Sequence, residues 1–270
     1  MTLSYTAILE RPDDSALTYD VEGNGPPLVL ISGLGGTSAF WKPFAGLLSD
    51  RFTVLSYDHA GIARSTRGNA PANIDRFSED VKALAETAFP GQPVAVFGHS
   101  MGGIIAQNLA AKEPNLVSRV ILSGTWLQAD DFMRAQFALR RALIEQAPGL
   151  YSGFQRLISR SPDLEPPDAG VWEGLIQDVP GMTAAEVANF NDRAEVILQF
   201  SGKALAPGLT MPCLVLGARD DHVVPFRNQS AVHAAIPGSA LKTMDYGGHF
   251  YPNSQAETTA QYVLEWLDSN

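Results

Sequence analysis

Six short runs rich in apolar residues recur along this chain: PLVLIS (27–32), FTVLSYD (52–58), PVAVFG (93–98), RVILSG (119–124), PCLVLG (212–217) and the more mixed ALKTMDYG (240–247). A strand with one wet face alternates apolar and polar residues, whereas a strand covered on both faces has no position to give to water. The runs therefore read as strands of a mostly parallel sheet lying between two layers of helices. Amphipathic stretches at 41–49, 75–88, 102–112, 227–236 and 255–268 supply those layers, in the strand-helix rhythm of a doubly wound α/β fold. ALTYDVEG (16–23) reads as an antiparallel hairpin strand at the entry edge of the sheet.

The rhythm breaks once. Residues 125–209 carry helical patterns and no convincing strand, which makes them an insertion, with helices expected at 130–146, around 152–159 and 169–177, and at 184–200. Pro162, Pro166, Pro167 and Pro180 punctuate them. The expected organisation is a single core of residues 1–124 and 210–270 roofed by a helical cap of residues 125–209. A length of 270 residues with 45% hydrophobic content suits such a core with one insertion.

Charge narrows the partners. A net charge of −10 and a pI near 4.9 argue against nucleic acid and anionic membrane, because both reward basic patches. The first residues lack a basic segment followed by an apolar run, and no apolar stretch approaches the roughly 18 residues that span a bilayer, so a cytoplasmic location is expected. The single cysteine, Cys213, lies in an apolar run and reads as a buried strand residue. The expected partner is a small-molecule substrate, and a homodimer stays open.

Three glycine-rich segments carry the chemistry. VAVFGHSMGGIIAQNLA places Gly98, His99, Ser100, Met101, Gly102 and Gly103 between an apolar strand and a helix, the pattern of a nucleophile elbow. A sharp strand-to-helix turn presents its central residue, Ser100, at the carboxyl end of the sheet and needs small residues on either side. LVLISGLGGTSAFW ends a strand in Gly33, Leu34, Gly35 and Gly36, a lean loop that lets backbone, Gly33 in particular, approach a substrate. MDYGGHFYPNSQAE puts His249 behind two glycines after the last strand, where an imidazole can take the serine proton and return it near neutral pH. His59, His99, His222 and His233 have structural readings in a loop, the elbow, a turn and a helix face. Histidine spacing suitable for a metal is missing, and neither a metal nor a cofactor is expected.

The order of serine, acid and histidine, with the elbow, resembles the α/β-hydrolase fold family over nearly the whole chain outside the cap. SYDHAGIARS is similar to that family's D-x-R-G-x-G-x-S loop; it keeps Asp58, Gly61 and Ser65 but has Ala60 and Ala63 where Arg and Gly are usual, which puts the loop's usual hydrogen bonds in doubt. The resemblance implies an oxyanion hole from the N–H groups of Leu34 and Met101. It also implies a triad acid in MPCLVLGARDDHVVP: counting from Pro212 and back from Pro225 gives Asp221, and only alignment on Gly217 favours Asp220.

Within the family, LVLISGLGGTSAFW and DYGGH most resemble the bacterial aminoacrylate hydrolases of pyrimidine breakdown and, more distantly, the 3-oxoadipate enol-lactonases. That resemblance implies a serine hydrolase cleaving an ester, lactone, amide or related C–N or C–O bond of a small carboxylated metabolite. Carbon-carbon hydrolases and thioesterases use the same residues, and a non-hydrolysing ligand receptor on the same fold is the alternative of another class. In the cap, Trp126 and Phe132 serve equally as wall residues or as cap packing, and Arg134, Arg140 or Arg141 as substrate cations or as solvated helix charges.

Overall fold

The computed structural model describes residues 3–164, 170, 172–173, 175 and 181–269. Eight strands form one sheet in the order β1 (Leu3–Glu10), β2 (Ala16–Gly23), β4 (Thr53–Tyr57), β3 (Pro27–Ile31), β5 (Val94–His99), β6 (Val117–Ser123), β7 (Cys213–Ala218) and β8 (Ala240–Met244). β2 pairs antiparallel with β1 and β4, and the remaining neighbours pair in parallel. β1 is the one strand without a signal in the sequence. It forms an edge and is largely exposed, so no burial constraint writes a pattern into it.

The apolar runs are continuous because alternate residues serve opposite faces of the sheet. Leu28 and Leu30 of β3 pack with Ala95 and Phe97 of β5 against α1 (Lys42–Leu48) and α9 (Ala256–Ser269). Val29, Ile31, Val94 and Val96 face the opposite layer of α2 (Ile74–Ala88), α3 (Met101–Lys112) and α7 (Arg227–Ala235). A separate turn, α8 (Tyr251–Ser254), precedes α9 and buries Tyr251 completely. Among the described residues, no helix is long and apolar enough to cross a membrane.

Between β6 and β7 the chain forms α4 (Asp131–Gln146), α5 (Pro148–Ser159) and α6 (Ala184–Gln199). Side chains fix where two of them begin. The Asp130 carboxylate accepts from the Met133 N–H at the start of α4, and Thr183 and Glu186 form a reciprocal capping box on α6. The helix expected around 169–177 falls largely outside the described residues. α6 is tied to the core through the loop after β4: the Arg193 guanidinium donates to the Ala60 carbonyl, and Asn189 Nδ2 donates to the Gly61 carbonyl at 2.7 Å.

That loop solves its departure from the family pattern locally. With Ala60 in place of the usual arginine, Arg64 Nε donates to Asp58 at 2.7 Å, and the other Asp58 oxygen accepts from the Ser38 N–H at 2.8 Å. Ala63 sits at φ +47°, a left-handed conformation that explains why glycine is usual there.

The topology also fixes where a site can form. From β3 the chain moves to β4 on one side and then to β5 on the other, so the crossover connections diverge beyond the carboxyl ends of β3 and β5. Open α/β sheets leave a crevice at such a switch point. Phe97 lies directly beneath it, fully buried, with ring centroids 5.1 Å from both Trp41 and Phe44. Phe97→Ala is expected to lower the unfolding free energy by about 3–5 kcal/mol in urea titration, whereas Ile8→Ala on the exposed edge strand should change it by less than about 1 kcal/mol.

Candidate active site

The elbow occupies the crevice. Ser100 follows the last residue of β5 and precedes the first of α3 with φ +58° and ψ −121°, one of three non-glycine residues at positive φ among those described. Backbone strain of this kind persists only when its surroundings over-determine it. Here the Ser100 N–H donates to the Ser123 carbonyl at 2.8 Å, and its carbonyl accepts from the Gly103 N–H at 2.9 Å. Gly98 and Gly102 are demanded by crowding: a Cβ on Gly98 would stand 2.2 Å from the Gly102 carbonyl oxygen, and one on Gly102 only 2.0 Å from that of Ile31.

His249 reaches the serine from the loop after β8. Its Nε2 lies 2.9 Å from Ser100 Oγ and its Nδ1 2.7 Å from Asp221 Oδ2. Asp221 is almost fully buried, and its other oxygen accepts the N–H groups of Val223 and Val224, each at 2.8 Å. The carboxylate can only accept, so Nδ1 carries a proton, and the neutral ring then offers the Nε2 lone pair to the serine hydroxyl. Asp220 does something different: its oxygens accept the N–H groups of Gly247 and Gly248 at 3.2 and 2.9 Å and so hold the backbone leading into His249. From above, the Ser159 carbonyl at the end of α5 accepts the His249 N–H at 2.9 Å.

A cavity of about 260 Å³ opens over Ser100, walled by Gly33, Leu34, Arg140, Gln155 and His249 among others. A larger groove of about 800 Å³ runs past Asp20, Asp58 and Arg64, but these charges already satisfy one another. A Cβ on Gly33 would fall 2.9 Å from Ser100 Cβ, so glycine keeps the approach to the Ser100 side chain open. Leu34 occupies a turn closed by the Gly36 N–H on the Gly33 carbonyl at 2.9 Å, a bond that leaves the Leu34 N–H free of turn closure. The Met101 N–H is the first of α3, one of the donors a helix start leaves without an intrahelical partner.

Three residues expected at the substrate wall stand apart from the cavity. Trp126 is buried in the core, its carbonyl accepting from Gln107 Nε2 at 3.0 Å. Phe132 is exposed beneath the Arg227 guanidinium, and Arg134 turns outward to the Leu198 carbonyl. Arg141 pairs with Glu195. Arg140 is the cap arginine that reaches the cavity: 3% exposed, it lies 4.8 Å over the Phe137 ring and donates Nη2 to Gln136. Its Nε is buried without a partner, and among the described residues no carboxylate lies within ion-pair distance. Burial lowers its pKa, opposed by Tyr151 and Asp221, yet a guanidinium stays charged at neutral pH. Gln155 and Ser159 of α5 join the wall without having been anticipated. Among the described residues, no group of three or more His, Cys, Asp and Glu is placed to hold a metal ion.

Residues 26–161 match the model of a family described as alpha/beta hydrolase fold. The chain belongs to that family. This hydrolase is 30% identical to a protein of Azorhizobium caulinodans named as a carbamate hydrolase, RutD, over 88% of this chain and 89% of the relative. A protein of the same name from Agrobacterium fabrum is 31% identical over 91% and 94% of the two chains. Among solved structures, the enol-lactonase of Burkholderia xenovorans LB400 superposes with a TM-score of 0.81 at 24% identity, covering 97% of this chain and all of the other.

The two adjacent aspartates make different bonds, and exchange for asparagine separates them. With p-nitrophenyl acetate as substrate, Asp221→Asn should cut kcat by up to about 10⁴, because the amide no longer selects the Nδ1–H tautomer of His249. Asp220→Asn should cost far less. A larger loss at position 220 would reverse the assignment.

Proposed function

We propose that this hydrolase is a serine hydrolase of small carboxylated metabolites, with Ser100 as nucleophile, His249 as general base and Asp221 as the acid that orients it. The continuous hydrogen bonds from Asp221 through His249 to a serine on a strained elbow carry this reading. Ser100 Oγ attacks the substrate carbonyl while His249 Nε2 takes its proton. The tetrahedral oxyanion is met by the N–H groups of Leu34 and Met101, the second strengthened by the start of α3. His249 then protonates the leaving group, and a water cleaves the acyl-enzyme by the same steps in reverse.

The name borne by the relatives, carbamate hydrolase, supports cleavage of a C–N or C–O bond of an ester, lactone, amide or carbamate. Arg140 supports a carboxylate on the substrate. Among the described residues no carboxylate pairs directly with this buried guanidinium, which is costly unless a ligand supplies a partner, and the cavity it faces is the one that holds Ser100. The cap formed by residues 125–209 thereby takes part in substrate choice, and no cofactor enters the scheme.

Two experiments test the proposal. Ser100→Ala should retain its circular dichroism spectrum and lose turnover by on the order of 10⁶, and activity above roughly a hundredth of wild type would remove the serine from its role. Arg140→Gln should lower kcat/KM for mono-p-nitrophenyl succinate by about 10- to 100-fold while leaving p-nitrophenyl butyrate within a few-fold, the range of a hydrogen bond to a charged group. Equal losses on both esters would mean that Arg140 does not read the carboxylate.

A further inference from the structure

The turn that brings Leu34 to the cavity has little stiffness of its own. Glycine stands at positions 33, 35 and 36, and Gly35 sits at φ +69°. The Leu34 N–H belongs to the same planar peptide group as the Gly33 carbonyl, so its aim follows from how that group and the ends of the turn are held. From inside the turn, the Gly36 N–H holds the Gly33 carbonyl. From outside, one residue holds both ends. His59 Nε2 lies 2.9 Å from the Ser32 carbonyl oxygen, and the His59 N–H donates to the Gly36 carbonyl at 3.4 Å, long for such a bond.

His59 is itself fixed. Its ring is buried in the loop after β4, 4.9 Å from the Tyr57 ring in an edge-on arrangement and 6.3 Å from the Phe77 ring. Its carbonyl accepts the Ile62 N–H at 2.8 Å, and the next two carbonyls, of Ala60 and Gly61, are the ones that Arg193 and Asn189 of α6 hold. Burial first, and then the Arg193 guanidinium, push the imidazole down to about 4 against smaller opposing pulls from the Ser32 carbonyl and Asp58. The ring is therefore neutral at neutral pH and carries one proton. A carbonyl only accepts, so the bond to Ser32 places that proton on Nε2.

We propose that His59 is a positioning residue for the oxyanion hole, its ring Nε2–H and its backbone N–H pinning the two ends of the glycine turn so that the Leu34 N–H is aimed before the substrate arrives. A donor aimed in advance stabilises a developing oxyanion because nothing is left to reorganise as the charge appears. A turn with three glycines needs that order supplied from outside, by groups whose own positions are locked by packing. His59 does not itself wall the cavity, so it acts through the turn. The inference rests on the serine-hydrolase reading and adds to it the residue that aims one of its two oxyanion donors.

The test compares His59→Leu, which keeps the bulk and loses the donor, with His59→Gln, which keeps an amide donor at similar reach. On p-nitrophenyl butyrate, His59→Leu should lose about 10- to 100-fold in kcat/KM, less than the roughly 10²- to 10³-fold in kcat that follows removal of an oxyanion donor outright, and His59→Gln should recover to within a few-fold of wild type. Two uncharged inhibitors separate a misaimed donor from a damaged pocket. Butyl trifluoromethyl ketone gives a tetrahedral oxyanion adduct with the serine, and butyl methyl ketone binds without one. In His59→Leu the inhibition constant of the first should rise by the same factor as kcat/KM falls, and that of the second should hold. Unchanged kcat/KM in folded His59→Leu overturns the inference and leaves the hydrolase reading intact. So does an equal loss on both ketones, or a loss that glutamine does not repair. Failure of wild type to turn over any ester, lactone or amide instead removes the hydrolase reading and this inference with it. Nitrogen-15 spectra of histidine-labelled wild type supply a readout that depends on neither turnover nor the folding of a variant. A protonated Nε2 and a bare Nδ1 on His59 are expected, and a bare Nε2 overturns the inference whatever the kinetics show.

Discussion

The arrangement depends on how closely three pieces of backbone approach one another around Ser100. The end of β3, the end of β5 and the first turn of α3 meet with no room for a single methyl group at Gly98 or Gly102. That contact forces the serine into its positive-φ conformation and lifts its side chain clear of the sheet. Each other part of the site is placed relative to this fixed point. The loop after β3 comes in at Gly33, the loop after β7 brings Asp221, and the loop after β8 brings His249. The sheet thus does for the site what a rigid frame does for a binding constellation, holding groups from distant parts of the sequence within hydrogen-bond reach.

Much of this was legible in the sequence for one reason: burial on both faces of a strand, and crowding at a turn, leave few permitted residue types. The six short runs became β3 to β8, and the three glycine-rich segments converge on one cavity. β1 was not legible because an exposed edge strand is almost free of such constraints. Choosing between Asp220 and Asp221 took the spacing of two prolines, since both residues belong to the same turn and differ only in which way the side chain leaves the backbone.

The cap shows where reading by residue type fails and reading by period succeeds. Residue type alone offers Arg134, Arg140 and Arg141 equally as substrate cations. The buried positions of α4 are Met133, Gln136, Phe137, Arg140 and Ile144, spaced by three or four residues. Arg140 falls on this stripe, whereas Arg134 and Arg141 lie off it and reach surface partners. An arginine in register with an inward-facing stripe was the available signal. Trp126 and Phe132, read equally as wall or packing residues, part company: Trp126 is buried in the core and Phe132 lies in the open.

The bond from the His249 N–H to the Ser159 carbonyl links two parts of the molecule that are usually considered apart. Ser159 ends a helix of the insertion, and His249 is the residue proposed above to move protons below it. Lifting α5 to admit a bulky molecule would strip that bond from the histidine's own backbone, so a wide-open roof and a well-aimed imidazole exclude each other. A molecule that fits the cavity of about 260 Å³ leaves that bond in place, whereas one that displaced α5 would act on the backbone of His249 as well.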